Sequence, residues 1–199
     1  MTNKSPYGLV LYYSRHGALL QMAQAVAIGM EKNGLEARIR TVPDISPKTE
    51  QTEAKVPEAG APYVTLEDLA HCTTLALGSP GYFGNMASPL KYFWDTTTPL
   101  WMQGALIGKP AGVFCATSSW HGGNESTLWN MMAPLFHHGM ILVGLSYAEA
   151  TLSTTQHGGS PYGPTHITGT RHELPLHADE RLLCQCLGER LSLIGKKLT

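Results

Sequence analysis

The sequence is poor in charge and has no long apolar run. Charged residues make up 15% of its 199 positions, against 43% hydrophobic, and 14 Lys and Arg nearly balance 15 Asp and Glu. A formal net charge of −1 leaves no electrostatic footprint for nucleic acid or for an anionic membrane surface. Apolar runs stop well short of the roughly 20 residues that cross a bilayer, so no membrane span is expected. The opening Met-Thr-Asn-Lys-Ser-Pro-Tyr-Gly lacks both the apolar stretch and the cleavage site of a secretory signal, which points to the cytoplasm. There are four cysteines. Cys115 lies in an apolar run, while Cys184 and Cys186 fall on different faces of a helical pattern; this is neither a disulfide framework nor a zinc spacing. His121 has no further ligands at helical or hairpin spacing, so no metal site is read. Gly-x-Gly-x-x-Gly and Walker patterns are missing, as are paired carboxylates and any Cys–His arrangement.

What is there is an alternation of strand-like and helix-like segments. Leu9–Tyr13, Thr73–Gly78, Pro110–Thr117 and Met140–Leu145 read as buried strands, and Glu36–Val42, which alternates charged and apolar residues, as a strand nearer an edge. A helix opens at Ala18, with Leu19, Met22, Ala23, Val26 and Met30 on one face and Asn33-Gly34 as its stop. Thr65 and Asp68 form a capping pair. Leu90, Phe93 and Trp94 have helical spacing, a further helix runs to His137, and the last spans Ala178–Lys197. Residues 43–64 read as an extended surface loop, 96–108 as loop-like, and 147–172 as an insertion rich in Gly, Thr, Ser and Pro. One domain over residues 1–199 is expected. It is an α/β fold: a flavodoxin-like, doubly wound, five-stranded parallel sheet of order 2-1-3-4-5 with helices on both faces.

In such a sheet the loops after the first, third and fourth strands leave from one edge, and here they are Ser14–Gly17, Ser79–Met86 and Thr117–Gly123. Ser14 and Gly17 precede a helix N-terminus, where free amides and the dipole favour a phosphate. The second loop adds glycines and the rings of Tyr82 and Phe83. One phosphate and one flat ring fit a mononucleotide such as FMN. A receiver domain would need acidic residues where Tyr12-Tyr13-Ser14 stands, and a low-molecular-weight tyrosine phosphatase would need a Cys at Ser14; both are excluded.

Several motifs, in order along the chain, resemble the WrbA-type NAD(P)H:quinone oxidoreductases. They are Tyr12-Tyr13-Ser14-x-x-Gly17, Gly78-Ser-Pro-x-x-Phe83-Gly-Asn-Met86 with Asp95, Gly108-Lys-Pro-Ala111, His121-Gly-Gly-x-Glu125, His137-His-Gly-Met140 and Gly158-Gly-Ser-Pro-Tyr-Gly163. The resemblance implies non-covalent FMN, a homotetramer, and two-electron reduction of quinones by NADH or NADPH at one open flavin site. By position it implies that Ser14, Arg15, His16, Gly17, Ala18 and Leu19 hold the phosphate, and that Pro80, Gly81, Tyr82, Phe83 and Gly84 border the ring. Thr117, Ser118, Ser119, Trp120, His121 and Gly122 would meet the ribityl chain and pyrimidine edge. His138 would lie near a neighbouring subunit's flavin and offer a hydrogen bond or proton to the quinone, with Trp101 and Tyr82 walling the substrate pocket. Tyr82 stands where an Arg is common, His16 and Ala18 replace an aromatic and a polar residue, and Trp120 and His121 add bulk. The competing readings are a one-electron carrier, which the near-neutral charge disfavours, and a regulatory protein poor in cofactor.

Overall fold

The computed structural model describes residues 5–45 and 60–198. In order, the elements are β1 (Tyr7–Tyr12), α1 (Ala18–Lys32), β2 (Glu36–Thr41), α2 (Leu66–His71), β3 (Thr74–Tyr82), β4 (Asn85–Met86), α3 (Ser88–Asp95), α4 (Thr98–Met102), β5 (Pro110–Thr117), α5 (Asn124–His137), β6 (Ile141–Leu142), α6 (Thr151–Thr154), β7 (Thr165–Ile167) and α7 (Ala178–Leu198). The main sheet runs β2-β1-β3-β5-β6, every pair parallel. This is the expected order, reached through βαβ crossovers.

Why the strands are apolar throughout is plain from the two cores. Leu9, Leu11, Leu75, Leu77, Val113 and Cys115 point to one face, where they meet Leu69 of α2, Leu90 and Trp94 of α3, and Leu128, Met131 and Leu135 of α5. The alternate residues Val10, Tyr12, Ala76, Phe114 and Ala116 point to the other, against Leu19, Met22, Val26 and Met30 of α1 and Leu183, Leu187 and Leu191 of α7. A strand covered on both sides has no polar face to show. The Thr65–Asp68 pair forms the expected capping box, with the Asp68 amide donating to Thr65 Oγ1 (3.1 Å) and the Thr65 amide to Asp68 Oδ2 (2.9 Å). Residues 46–59 of the long loop lie outside the described residues.

Three expectations need correction. The segment after Gly78 is not a loop: β3 continues to Tyr82 and turns back into β4, pairing Gly81 with Met86 and Tyr82 with Asn85. Residues 96–108 hold a short helix, α4, with Pro99 in its first turn, where a missing amide costs nothing. The fifth strand is split. Ile141 and Leu142 pair only with Pro110 and Ala111, and the chain then leaves the sheet until β7 pairs alongside Cys115–Thr117. The supposed insertion therefore completes the sheet at the carboxyl ends of its strands.

Helices α1 and α7 touch backbone to backbone. A Cβ on Gly29 would sit 2.0 Å from the Gln185 carbonyl oxygen, and one on Gly188 2.0 Å from that of Val26. Ala would gain about 1 kcal/mol of helix propensity over Gly, but a main-chain atom cannot swing aside, so steric cost dominates. Gly188→Ala is expected to destabilise the fold by about 1–3 kcal/mol, measured as a fall in the urea midpoint at unchanged slope.

Candidate functional site

A cavity of about 200 Å³ lies where three βα connections and one returning segment converge. Ser14, Arg15, His16, Ala18 and Leu19 line it from the first connection, Pro80, Gly81 and Tyr82 from the second, Ala116, Thr117 and Ser118 from the third, and Thr168 and His172 from the segment after β7. No carboxylate is among them.

In the first connection, the Gly17 amide donates to Ser14 Oγ at 3.0 Å, closing a tight turn. Gly17 has φ +87°, a left-handed conformation, and a Cβ there would meet nothing within 4 Å. Helix α1 follows with no side-chain cap and no acidic residue in its first turn, so its leading amides and dipole keep their positive character. Ser79 ties down the second wall: its hydroxyl accepts from the Ala87 amide (2.8 Å) and donates to the Pro80 carbonyl (2.9 Å). A Cβ on Gly81 would come within 2.8 Å of both Thr117 and Thr127, so close approach of these walls requires glycine. Thr127 Oγ1 is itself buried and has no hydrogen-bond partner. At the hairpin tip Phe83 (φ +51°) and Gly84 (φ +73°) are both left-handed, as a two-residue turn of this hand demands. Phe83 is fully exposed. Strain of this kind in a non-glycine residue of order 1–3 kcal/mol gathers at functional sites. In the third connection Thr117 Oγ1 donates to the Ser119 carbonyl at 2.9 Å. Ser119, Trp120, His121 and Gly122 lie beyond the cavity lining, as do Phe83 and Gly84.

Arg15 and Tyr82, which share the inner cavity, also border a larger outer cavity of about 930 Å³ with Tyr13, Asp44, Lys91 and Tyr92. A cation therefore stands beside Tyr82, supplied by the neighbouring loop. Tyr13 Oη donates to Asp44 Oδ1 at 2.5 Å; burial, with the Asp44 carboxylate second, pushes the Tyr13 phenol well up and keeps it neutral.

His138 and Trp101 are elsewhere. They line a separate cavity of about 330 Å³ with Trp94, Thr97 and His137, and His138 does not reach the first cavity within one chain. Trp101 Nε1 donates to the His137 carbonyl at 2.9 Å. Thr97 gives its only hydroxyl hydrogen to the Trp94 carbonyl (2.7 Å), so it accepts from His138 Nε2 (2.9 Å), and Nδ1 is left as a buried acceptor without a partner. Burial first, and His137 second, lower the His138 pKa and hold the ring neutral.

Sequence reasoning missed Thr168 and His172; the composition of 147–172 marked the segment but no residue within it. Its position is set by one carboxylate. Glu180 on α7, 2% exposed, accepts from His166 Nδ1 (2.7 Å) and from the amides of Gly158 (3.1 Å), Ile167 (3.4 Å) and His177 (2.9 Å). Beyond it the Thr168 amide donates to the Thr117 carbonyl at 2.8 Å, bringing the segment against the third wall.

Among known proteins, the family model described as NADPH-dependent FMN reductase matches residues 12–152. A protein of Solidesulfovibrio magneticus named NAD(P)H dehydrogenase (quinone) is 43% identical over 169 residues, 81% of this chain and 83% of its own length. One of the same name from Gluconacetobacter diazotrophicus is 38% identical over 195 residues, 96% of this chain and 98% of its own. The flavodoxin, WrbA-like protein of Agrobacterium tumefaciens shares the fold, with a TM-score of 0.68 at 19% identity over 98% of this chain and 100% of that one. Two-electron reduced Megasphaera elsdenii flavodoxin does so at a TM-score of 0.58 and 18% identity, over 94% and 98%.

Burial alone would raise the Glu180 carboxyl, but His166 and the His177 and Gly158 amides bring it below its ordinary value of 4.5. A carboxylate lowered in the folded state adds stability above its unfolded pKa and loses it as pH falls through the folded one. Glu180→Gln is expected to cost about 3 kcal/mol at pH 7, with the urea curves of variant and wild type converging as pH falls from 5 towards 3.

Proposed function

The chain belongs to the NADPH-dependent FMN reductase family, and on that premise we propose that it is an NAD(P)H:quinone oxidoreductase working through FMN. The observation that carries the proposal is the acid-free cleft at the N-terminus of α1, walled by glycine-bearing loops at the carboxyl edge of the sheet. Its chemistry fits such a cofactor. A phosphate finds helix amides, the Ser14 turn and no competing carboxylate, and open space above Gly17 leaves it room. The cavity is smaller than the roughly 300–1,000 Å³ usual for a whole cofactor, so it suits the phosphate and ribityl end, with the ring towards Tyr82 and the open mouth.

When bound, the flavin supplies the redox chemistry, accepting hydride from NADH or NADPH and returning two electrons to a quinone. The protein's part is binding and position. Ser14, His16, Gly17, Ala18 and Leu19 hold the phosphate; Pro80, Gly81 and Tyr82 border the ring; Thr117 and Ser118 meet the ribityl chain. Ser119, Trp120, His121, Gly122, Phe83 and Gly84 form the rim rather than the wall. Arg15, which lines the inner and outer cavities with Tyr82, supplies positive charge at the substrate entrance, where it attracts the phosphates of a nicotinamide dinucleotide.

His138 and Trp101 serve a neighbouring subunit's site in a homotetramer. Exposed Trp101, Met102, Ile107 and Phe136 support that assembly, since exposed apolar side chains favour a covering partner. A neutral His138 whose Nε2 hydrogen is already given to Thr97 positions rather than protonates. The described residues form one domain, with 147–172 folded into it. No helix among them is long and apolar enough to cross a membrane, and their cysteines are free, in keeping with a cytoplasmic location.

Purified protein titrated with FMN should quench flavin fluorescence at micromolar concentration, bleach anaerobically with NADH or NADPH, and recolour with benzoquinone. Absence of FMN binding sinks the proposal; binding without bleaching by either nicotinamide makes the protein a one-electron carrier instead. In sedimentation the assembled species should have four times the 21.6 kDa chain mass; a species of that single mass overturns the tetramer.

A further inference from the structure

The one part of the cleft that no loop of the basic sheet supplies is the turn after β7, and it ends on a histidine. The His172 amide donates to the Gly169 carbonyl at 3.1 Å, and the Leu174 amide to the Thr168 carbonyl at 2.9 Å, so residues 168–174 fold back on themselves. This places His172 at φ +58°, a conformation side chains rarely adopt. The ring it presents lies against that of His16 from the phosphate turn, centroids 4.0 Å apart and planes 22° from parallel. Both rings line the small cavity.

A hydrogen bond to Thr168 holds His172. Thr168 Oγ1 lies 3.2 Å from His172 Nδ1, with the main-chain carbonyls of Gly169 (3.1 Å) and Thr117 (3.3 Å) also within its reach. Nδ1 is thus engaged with Thr168, and Nε2 is left for a ligand, to which an Nε2–H would donate. The groups around it are Arg15 and His16 from the first connection and Tyr82 from the second, with no charged residue lining the cavity from the third. On its own segment stand Arg171 and Glu173, and the Glu173 carboxylate accepts the Arg171 amide at 2.8 Å. Rings stacked at 4.0 Å admit nothing between them, so a phosphate would meet them at their edges.

We propose that His172, carried in on the turn after β7 and stacked on His16, is a phosphate-binding residue that clasps the cofactor's phosphate monoester together with the first connection. The inference rests on the reading of the cleft as a flavin mononucleotide site. A hydrogen bond from Nε2–H to an ionised phosphate oxygen is charge-assisted. The turn's left-handed residue is then explained as the geometry that brings the ring over the cavity.

The test compares FMN with riboflavin, which lacks the phosphate, in fluorescence titrations of wild type and His172→Asn. Asn tolerates a left-handed backbone, so the turn is kept and only the ring is lost. The variant should bind FMN about tenfold more weakly than wild type, about 1.4 kcal/mol, and riboflavin should bind both proteins alike. An FMN ratio near one, or an equal loss for both flavins, overturns the clasp while leaving the flavin site intact. Failure of wild type to bind FMN would instead bring down the function proposed above.

Discussion

Glu180 is the constraint on which the cleft depends. A carboxylate this deeply buried costs several kcal/mol unless its lone pairs are satisfied, and four donors from three separate stretches converge on it: Gly158, His166 with Ile167, and His177. Each bond fixes a different point of the segment that leaves the sheet after β6. Because Glu180 sits in the first turn of α7, whose buried face is locked against α1 by Gly29 and Gly188, that segment inherits the rigidity of the whole sandwich. The split edge strand follows. The chain can leave the sheet and return as β7 because the carboxylate, rather than continuous strand pairing, defines where it comes back.

The return is what changes a generic sheet edge into an enclosed site. Three connections give any fold of this kind a shallow crevice. Here Thr168 hydrogen-bonds the Thr117 carbonyl and His172 stacks on His16, so a fourth wall closes the end nearest the helix N-terminus. The electrostatics agree with the closure. Helix amides, Arg15 and two imidazoles face a cavity lined by no carboxylate, while Asp44, Lys91 and Asp95 are kept to the outer cavity. An anionic group is thus drawn to the inner end and the open mouth is left to Tyr82 and exposed Phe83.

Much of this could be read from residue order. Continuous apolar runs marked β1, β3 and β5 because strands buried on both faces have no alternation to hide, and Thr65 with Asp68 marked a helix start through chemistry local to four residues. The β3–β4 hairpin was not legible: Gly78-Ser-Pro-Gly carries loop composition, and only pairing with Asn85 and Met86 makes it strand. Likewise Met140–Leu145 is apolar enough for one strand, and nothing local says that it leaves the sheet after Leu142. The cavity lining divides the same way. Ser14, Gly81 and Thr117 lie at strand-to-helix junctions that topology alone picks out. The convergence of Arg15 and Tyr82 on one cavity, and the meeting of His16 with a residue more than 150 positions away, depend on tertiary contacts that periodicity cannot carry.

The two histidines that matter most both meet a threonine hydroxyl but sit in opposite surroundings. Thr97 gives its hydrogen to the Trp94 carbonyl and accepts from His138, while Thr168 has the Gly169 and Thr117 carbonyls within reach beside His172. His138 donates from Nε2 and is left with a buried Nδ1 that water does not reach, a place where a charge would go unsolvated. His172 is exposed and lines a cavity with no carboxylate among its lining residues. Similar local bonding therefore leaves a buried ring beside Trp94 and an exposed one stacked on His16. Burial, not residue type, decides which chemistry each can perform.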